Sequence, residues 1–192
     1  MNTTSMMIVG VGGQGSLLAS RLLGTLLTDM GYDVKVSEVH GMSQRGGSVV
    51  TYVRFGDRVY SPIVAKGECD CIISFEKLEA ARYASCLKTG GRVIVNTQQI
   101  DPMPVITGAA EYPEDVLDTL KAQGVHVEAF DALTPAEEAG SARAVNIVLM
   151  GRFAAGFSAS REQWLAALKK VIKPGLLDIN LAAFEKGWNL KV

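Results

Sequence analysis

Three cysteines in 192 residues are too few for a disulfide framework, and their odd number leaves one unpaired. Cys69, Cys71 and Cys86 include no C-x-x-C pair, whereas a self-contained zinc or iron–sulfur site usually takes about four thiolates. No metal site is therefore expected on this chain alone. Cys69 and Cys71 lie two apart in an apolar run and are expected to face the same side of a strand as packed core thiols. An excess of either charge is also missing: 19 basic residues oppose 20 acidic ones, for a net charge of -1. Such a balance supplies no global field for nucleic acid or anionic lipid. Long apolar runs are absent too, none reaching the ~20 residues of a spanning helix, and Met1–Ser5 carries no basic region ahead of a hydrophobic stretch. The expectation is a soluble, cytoplasmic protein with neither nucleic acid nor membrane as a partner.

Apolar residues make up 48% of the chain, enough for one domain spanning residues 1–192 to bury roughly 70% of its extended surface without staples. Glycine is the residue in surplus, with 20 copies. Half of them fall in the first 56 residues, mostly as Gly10, Gly12, Gly13, Gly15 and then Gly41, Gly46, Gly47. Fixing glycine costs conformational entropy, so such clusters mark backbone that turns tightly or approaches something closely.

Hydrophobic periodicity supplies the elements. Met6–Val9 reads as a buried strand ending at Gly10, and leucines recur at helical spacing over Gln14–Met30 up to a Gly31 stop. With only Arg21 and Asp29 charged in residues 1–30, that helix is expected to be covered on more than one side. Asp33–Val39 alternates as a second strand. Ser48–Arg54 and Arg58–Val64 suggest a hairpin across Phe55-Gly56-Asp57. Cys69–Phe75 is a strand, followed by a helix through Leu87, a Gly90-Gly91 stop and the strand Arg92–Asn96. Pro113–Ala122 is helical, Val125–Phe130 a strand, and Val145–Phe157, Ser160–Ile172 and Leu176–Lys186 are helices, with Ser160 and Gln163 forming a capping box. Alternation without linkers or repeats predicts an α/β fold, a three-layer Rossmann-like arrangement with a mainly parallel sheet and a helical C-terminal region.

Gly10-Val11-Gly12-Gly13-Gln14-Gly15 satisfies G-x-G-x-x-G between a strand and a helix, the context in which amides and helix dipole converge on an anion. Glu38, 23 residues after Gly15, stands where a dinucleotide site places a ribose-binding carboxylate. Cofactor binding by Gly10, Gly12, Gly13, Gln14, Gly15 and Glu38 and a purely structural turn both satisfy this pattern, although Gly13-Gln14 is atypical of a dehydrogenase. Beyond the second strand, His40-Gly41-Met42-Ser43-Gln44-Arg45-Gly46-Gly47 joins polar, cationic and flexible groups where open α/β sheets bind ligands. His40 and Arg45 are the candidates for chemistry, as a titratable group and an anion fork. Gly41, Met42, Ser43, Gln44, Gly46 and Gly47 equally suit an interface loop.

The two clusters together, at this spacing and followed by Ser48–Arg54, resemble the gamma-type subunits of 2-oxoacid:ferredoxin oxidoreductases. Within that family the likeness leans toward the beta subunit of the indolepyruvate ferredoxin oxidoreductases, and it extends to Asn146 and the Gly151 region. The resemblance implies a non-autonomous subunit of a complex that decarboxylates a 2-oxo acid, here an aryl-pyruvate, passes electrons to ferredoxin and yields acyl-CoA. It further implies that thiamine diphosphate, Mg2+, [4Fe–4S] clusters and coenzyme A are engaged through the partner subunit. The competing expectation is a stand-alone NAD(P)- or flavin-binding protein using Gly10, Gly12, Gly15 and Glu38.

Overall fold

In the computed structural model, which describes residues 3–42 and 46–191, one six-stranded sheet runs through the molecule. Its strands are β1 (Thr3–Val11), β2 (Asp33–His40), β3 (Ser48–Gly56), β4 (Cys69–Ser74), β5 (Leu87–Asn96) and β6 (His126–Phe130), in spatial order β2-β3-β1-β4-β5-β6. β1, β4, β5 and β6 are parallel, and β3 runs antiparallel to both of its neighbours. The helices are α1 (Ser16–Asp29), α2 (Lys77–Tyr83), α3 (Met103–Ile106), α4 (Val116–Ala122), α5 (Leu133–Glu138), α6 (Val145–Ala155), α7 (Arg161–Val171) and α8 (Leu177–Trp188).

β1 is buried on both faces, as its unbroken apolar run requires. Met6 and Ile8 join Leu22, Leu23, Leu26 and Leu27 of α1 and the apolar sides of α6, α7 and α8 in one core. Met7 and Val9 face the other way, toward Ala80 of α2 and Leu120 of α4. These two cores are the seams of the expected three layers. α1 ends at the expected place, with Gly31 in the left-handed region. It is covered by the sheet, α6 and α7, and Lys170 of α7 pairs with Asp29 at 2.6 Å. Its outer side, with Leu17, Arg21 and Gly24, lines an open groove of about 620 Å3 shared with Val36 of β2. The Ser160–Gln163 capping box starts α7 as expected.

Three expectations are corrected. Arg58–Val64 is not a strand, because both edges of β3 are already taken by β1 and β2. The segment is instead tied by Arg54, which donates to the Ser61 and Ile63 carbonyls at 3.4 and 3.0 Å, and by the Val59 amide, which donates to Asp33 at 2.8 Å. Gly90-Gly91 does not stop a helix; it lies inside β5, where five residue steps from Leu87 to Arg92 oppose two steps from Cys69 to Cys71. Left-handed Gly90 (φ 79°) lets the extra residues bulge out. The same irregularity breaks the alternation of β4, so Cys69 and Cys71 point into opposite cores rather than to one side.

α6 and α8 cross without side chains between them. A Cβ at Gly187 would lie 2.0 Å from the Val148 carbonyl oxygen, and one at Gly151 would lie 2.3 Å from that of Phe184. Glycine at both positions lets the two backbones touch, and around the crossing Phe153 meets Trp164 edge to face while Trp164, Phe184 and Trp188 follow as tilted ring pairs. Gly187→Ala is expected to cost about 2 kcal/mol or more, since backbone must move, lowering the thermal midpoint by roughly 4–8 °C. Gly24→Ala, with nothing nearer than Val36 at 3.8 Å, is the control and should hold or raise the midpoint, as measured by calorimetry.

Candidate functional site

The β1–α1 turn is where the two glycine clusters meet. Because Val11 pairs with Ser48 at the end of the β1–β3 ladder, the chain leaving β1 runs beside the chain entering β3. The Gly12 amide donates to the Gly47 carbonyl at 2.8 Å, and the Gly46 amide to the Gly12 carbonyl at 3.4 Å. Residues 34 apart in sequence thus form one backbone unit. Ser43, Gln44 and Arg45 lie outside the described residues. Met42 is fully exposed, and His40 contacts the Gly41 carbonyl through Nδ1 at 3.0 Å.

Gln14 turns inward rather than toward solvent. Its Oε1 accepts from the Val11 amide at 2.7 Å, while Nε2 donates to the Phe75 carbonyl at 3.0 Å and to Gln98 Oε1 at 3.2 Å. The Gln14 amide itself donates to the Val11 carbonyl at 3.1 Å. Val11, Gly12 and Gln14 therefore spend their N–H groups inside the protein, while those of Gly13, Gly15, Ser16 and Leu17 have no partner among the described residues. Gly15, left-handed at φ 88°, starts α1 under Asn146, whose Nδ2 donates to the Gly15 carbonyl at 3.2 Å and would lie 2.4 Å from any Cβ there.

Glu38 accepts from Thr51 Oγ1 at 3.3 Å and lines a cleft of about 400 Å3 with Gly12, Gly13, Gly15, His40 and Val49. Its sequence spacing from Gly15 matches a dinucleotide site, but its topology does not. β3 stands between β1 and β2, so Glu38 is two strands from β1, roughly 10 Å of sheet. This strand order and the inward Gln14 differ from the arrangement of a dinucleotide-binding turn, in which the carboxylate-bearing strand adjoins β1. A second cleft of about 370 Å3, at the β1–β4 switch point, is lined by Gly13, Gln14, Gln98, Leu133 and Arg143.

Several contributors to this region escape motif reading. Asn96, fully buried, donates to the Phe75 carbonyl and Gln98 at 3.4 and 3.3 Å and accepts from the Ala132 amide at 3.0 Å. Two buried carboxylates stand at the start of α2, Glu76 as its N-cap and Glu79 in its first turn. Their only signal in the sequence is polar and acidic residues at the carboxyl ends of apolar strands.

A model of the family described as Pyruvate ferredoxin/flavodoxin oxidoreductase matches residues 5–190. The chain belongs to that family. Indolepyruvate oxidoreductase subunit IorB of Thermococcus kodakarensis is 45% identical over 97% of this chain and 95% of its own length. Two solved structures share the fold. The keto/oxoacid ferredoxin oxidoreductase gamma subunit of Geobacter sulfurreducens covers 96% of each chain at 22% identity with a TM-score of 0.70. The 2-oxoglutarate:ferredoxin oxidoreductase of Magnetococcus marinus, with 2-oxoglutarate, coenzyme A and succinyl-CoA bound, covers 98% of this chain but 31% of that one at 19% identity, TM-score 0.63. The family resemblance seen in the glycine clusters is thereby borne out.

Within the family, this chain's own residues do not fit an iron–sulfur cluster. Cys69 and Cys71 are buried in opposite cores, and burial pushes both thiols up to about 12, far from the thiolate that ligates iron. Among the described residues no group of three or more His, Cys, Asp or Glu could hold a metal ion, and no helix is long and apolar enough to cross a membrane. An unfolded thiol ionises at ~8.5, so above that pH the unfolded chain binds fewer protons and stability falls as pH climbs toward 12. At pH 8 a thiol reagent should modify half-buried Cys86 first, with Cys69 and Cys71 reacting only after denaturation. Mass spectrometry of the labelled native chain checks this, and fast native labelling of Cys71 would contradict it.

Proposed function

We propose that this chain is the non-autonomous gamma-type subunit of a thiamine diphosphate-dependent 2-oxoacid:ferredoxin oxidoreductase whose substrate is an aryl-pyruvate such as indolepyruvate. The observation that carries the reading is the interlocked pair of glycine clusters: the turn at Gly12 holds the end of the 41–47 loop, and its Gln14 closes the turn inward. Such a site presents a loop rather than enclosing a cofactor. The strong similarity to an indolepyruvate oxidoreductase subunit over nearly the whole chain supports the substrate class.

In this reading the complex converts a 2-oxo acid and coenzyme A to acyl-CoA and carbon dioxide, and two electrons pass to ferredoxin. Thiamine diphosphate with Mg2+ and the [4Fe–4S] clusters reside on the partner subunit, where the thiamine supplies carbanion stabilisation and the clusters carry electrons. This chain binds and orients. Gly41, Met42, Gly46 and Gly47 shape a surface against the partner, and His40, Ser43 and Gln44 offer hydrogen bonds. Arg45 is the fork for an incoming carboxylate or phosphate. Glu38 and the amides of Gly13 and Gly15, which have no partner among the described residues, border the cleft through which anionic substrate or coenzyme A approaches.

The test is reconstitution. Co-purified with its partner, the chain should support coenzyme A-dependent ferredoxin reduction with indolepyruvate ranked above pyruvate and 2-oxoglutarate, while alone it shows no turnover and retains no flavin or nicotinamide. Arg45→Ala should lower kcat/KM of the assembled complex roughly 10- to 100-fold, the scale of a lost charge-assisted contact. Full 2-oxoacid-dependent dye reduction by the isolated chain would sink the proposal.

A further inference from the structure

Two carboxylates at the start of α2, Glu76 at its cap and Glu79 in its first turn, are 1% and 4% exposed, and a buried charge is unfavourable unless partners compensate it. Glu76 is explained by capping: it accepts from the Glu79 amide at 2.9 Å, the Ile100 amide at 3.3 Å and the Tyr112 hydroxyl. Glu79 has no capping duty. One of its oxygens accepts from Arg82 Nε at 3.1 Å, and the other from the Ser48 hydroxyl, with the Tyr83 hydroxyl 3.4 Å from Ser48. An apolar residue would fill this place more cheaply, and the dipole at the start of α2 offsets only part of the cost.

What distinguishes Glu79 is where Ser48 stands. Ser48 is the first residue of β3 and directly follows Gly46-Gly47, whose grip on Gly12 is backbone alone. Two adjacent glycines, one left-handed, leave that stretch with many conformations to lose. Among the described residues, Ser48 is held at the carboxyl end of the loop by Glu79, with the longer Tyr83 hydroxyl contact beside it. We infer that Glu79 is a positioning residue: acting through Ser48, it holds Gly46-Gly47 against the glycine turn, so that this stretch meets the partner subunit already in place. Preordering removes part of the entropy cost of association, so the effect falls on partner affinity. This inference rests on the reading of the loop as the partner-facing element.

Hydrogen exchange on the full chain and titration with the partner subunit test it together. Glu79→Gln and Ser48→Ala should each speed exchange of the amides of residues 46–49 by about tenfold, leave the β4 and β5 amides unchanged, and raise the Kd for the partner by about tenfold. The double variant should be no worse than the worse single one, because both act through one contact. Ser48→Thr, which keeps the hydroxyl, should restore protection and affinity. Unchanged exchange, additive losses, or faster exchange with unaltered partner affinity would each overturn the inference. Failure of the subunit reading looks different: the wild-type complex would then show no 2-oxoacid-dependent turnover, whatever Glu79 does to exchange.

Discussion

The candidate site depends on β3 sharing both of its edges. Running antiparallel between β1 and β2, it ends its ladder with β1 at Val11 and Ser48, so the outgoing turn of β1 and the incoming end of the 41–47 loop are neighbours. Side chains alternate along a strand, so a slip of one residue would send Val50 and Tyr52 to the wrong core and carry Ser48 away from Glu79. The contact between Gly12 and Gly47 follows from this register. The placement of β3 also keeps β1 and β2 from being sheet neighbours.

Around that register the interior is unusually polar for a buried sheet end. Gln14, Asn96 and Gln98 share amide hydrogen bonds around the Phe75 carbonyl, Asn146 closes over Gly15, and Glu76 draws Ile100 and Tyr112 toward α2. In a low-dielectric setting such groups are costly unless paired and rigid once paired. Most of their donors and acceptors are spent on one another or on nearby backbone, while the buried Asn146 Oδ1 has no partner among the described residues. A region built this way holds backbone in place; it leaves little free functionality for chemistry, which agrees with a chain that works as part of a larger oxidoreductase.

Local signals survived folding where they depended on neighbours a few residues away. The leucine spacing of α1 with its Gly31 stop, the capping box of α7 and the unbroken run of β1 are short-range patterns, and each forms as read. Arg58–Val64 carries good strand residues, yet it finds no free edge to pair with. Cys69 and Cys71 looked coplanar by alternation, but a bulge set by Gly90-Gly91 across β5 rotates one of them to the other core.

The glycine clusters illustrate the division most clearly. Composition, spacing and residue type were sufficient for the layered α/β class, for the family, and for attention to Gly10–Gly15 and Glu38–Gly47, because these features are written contiguously along the chain. Tertiary structure alone decided that β3 separates Glu38 from β1, that Gln14 folds inward to Phe75 and Gln98, and that Glu79 reaches Ser48. Each of those is a contact across 31 or more residues or a strand order. Such relations are fixed by which edges and cores remain available once the sheet closes, a condition that no local pattern encodes.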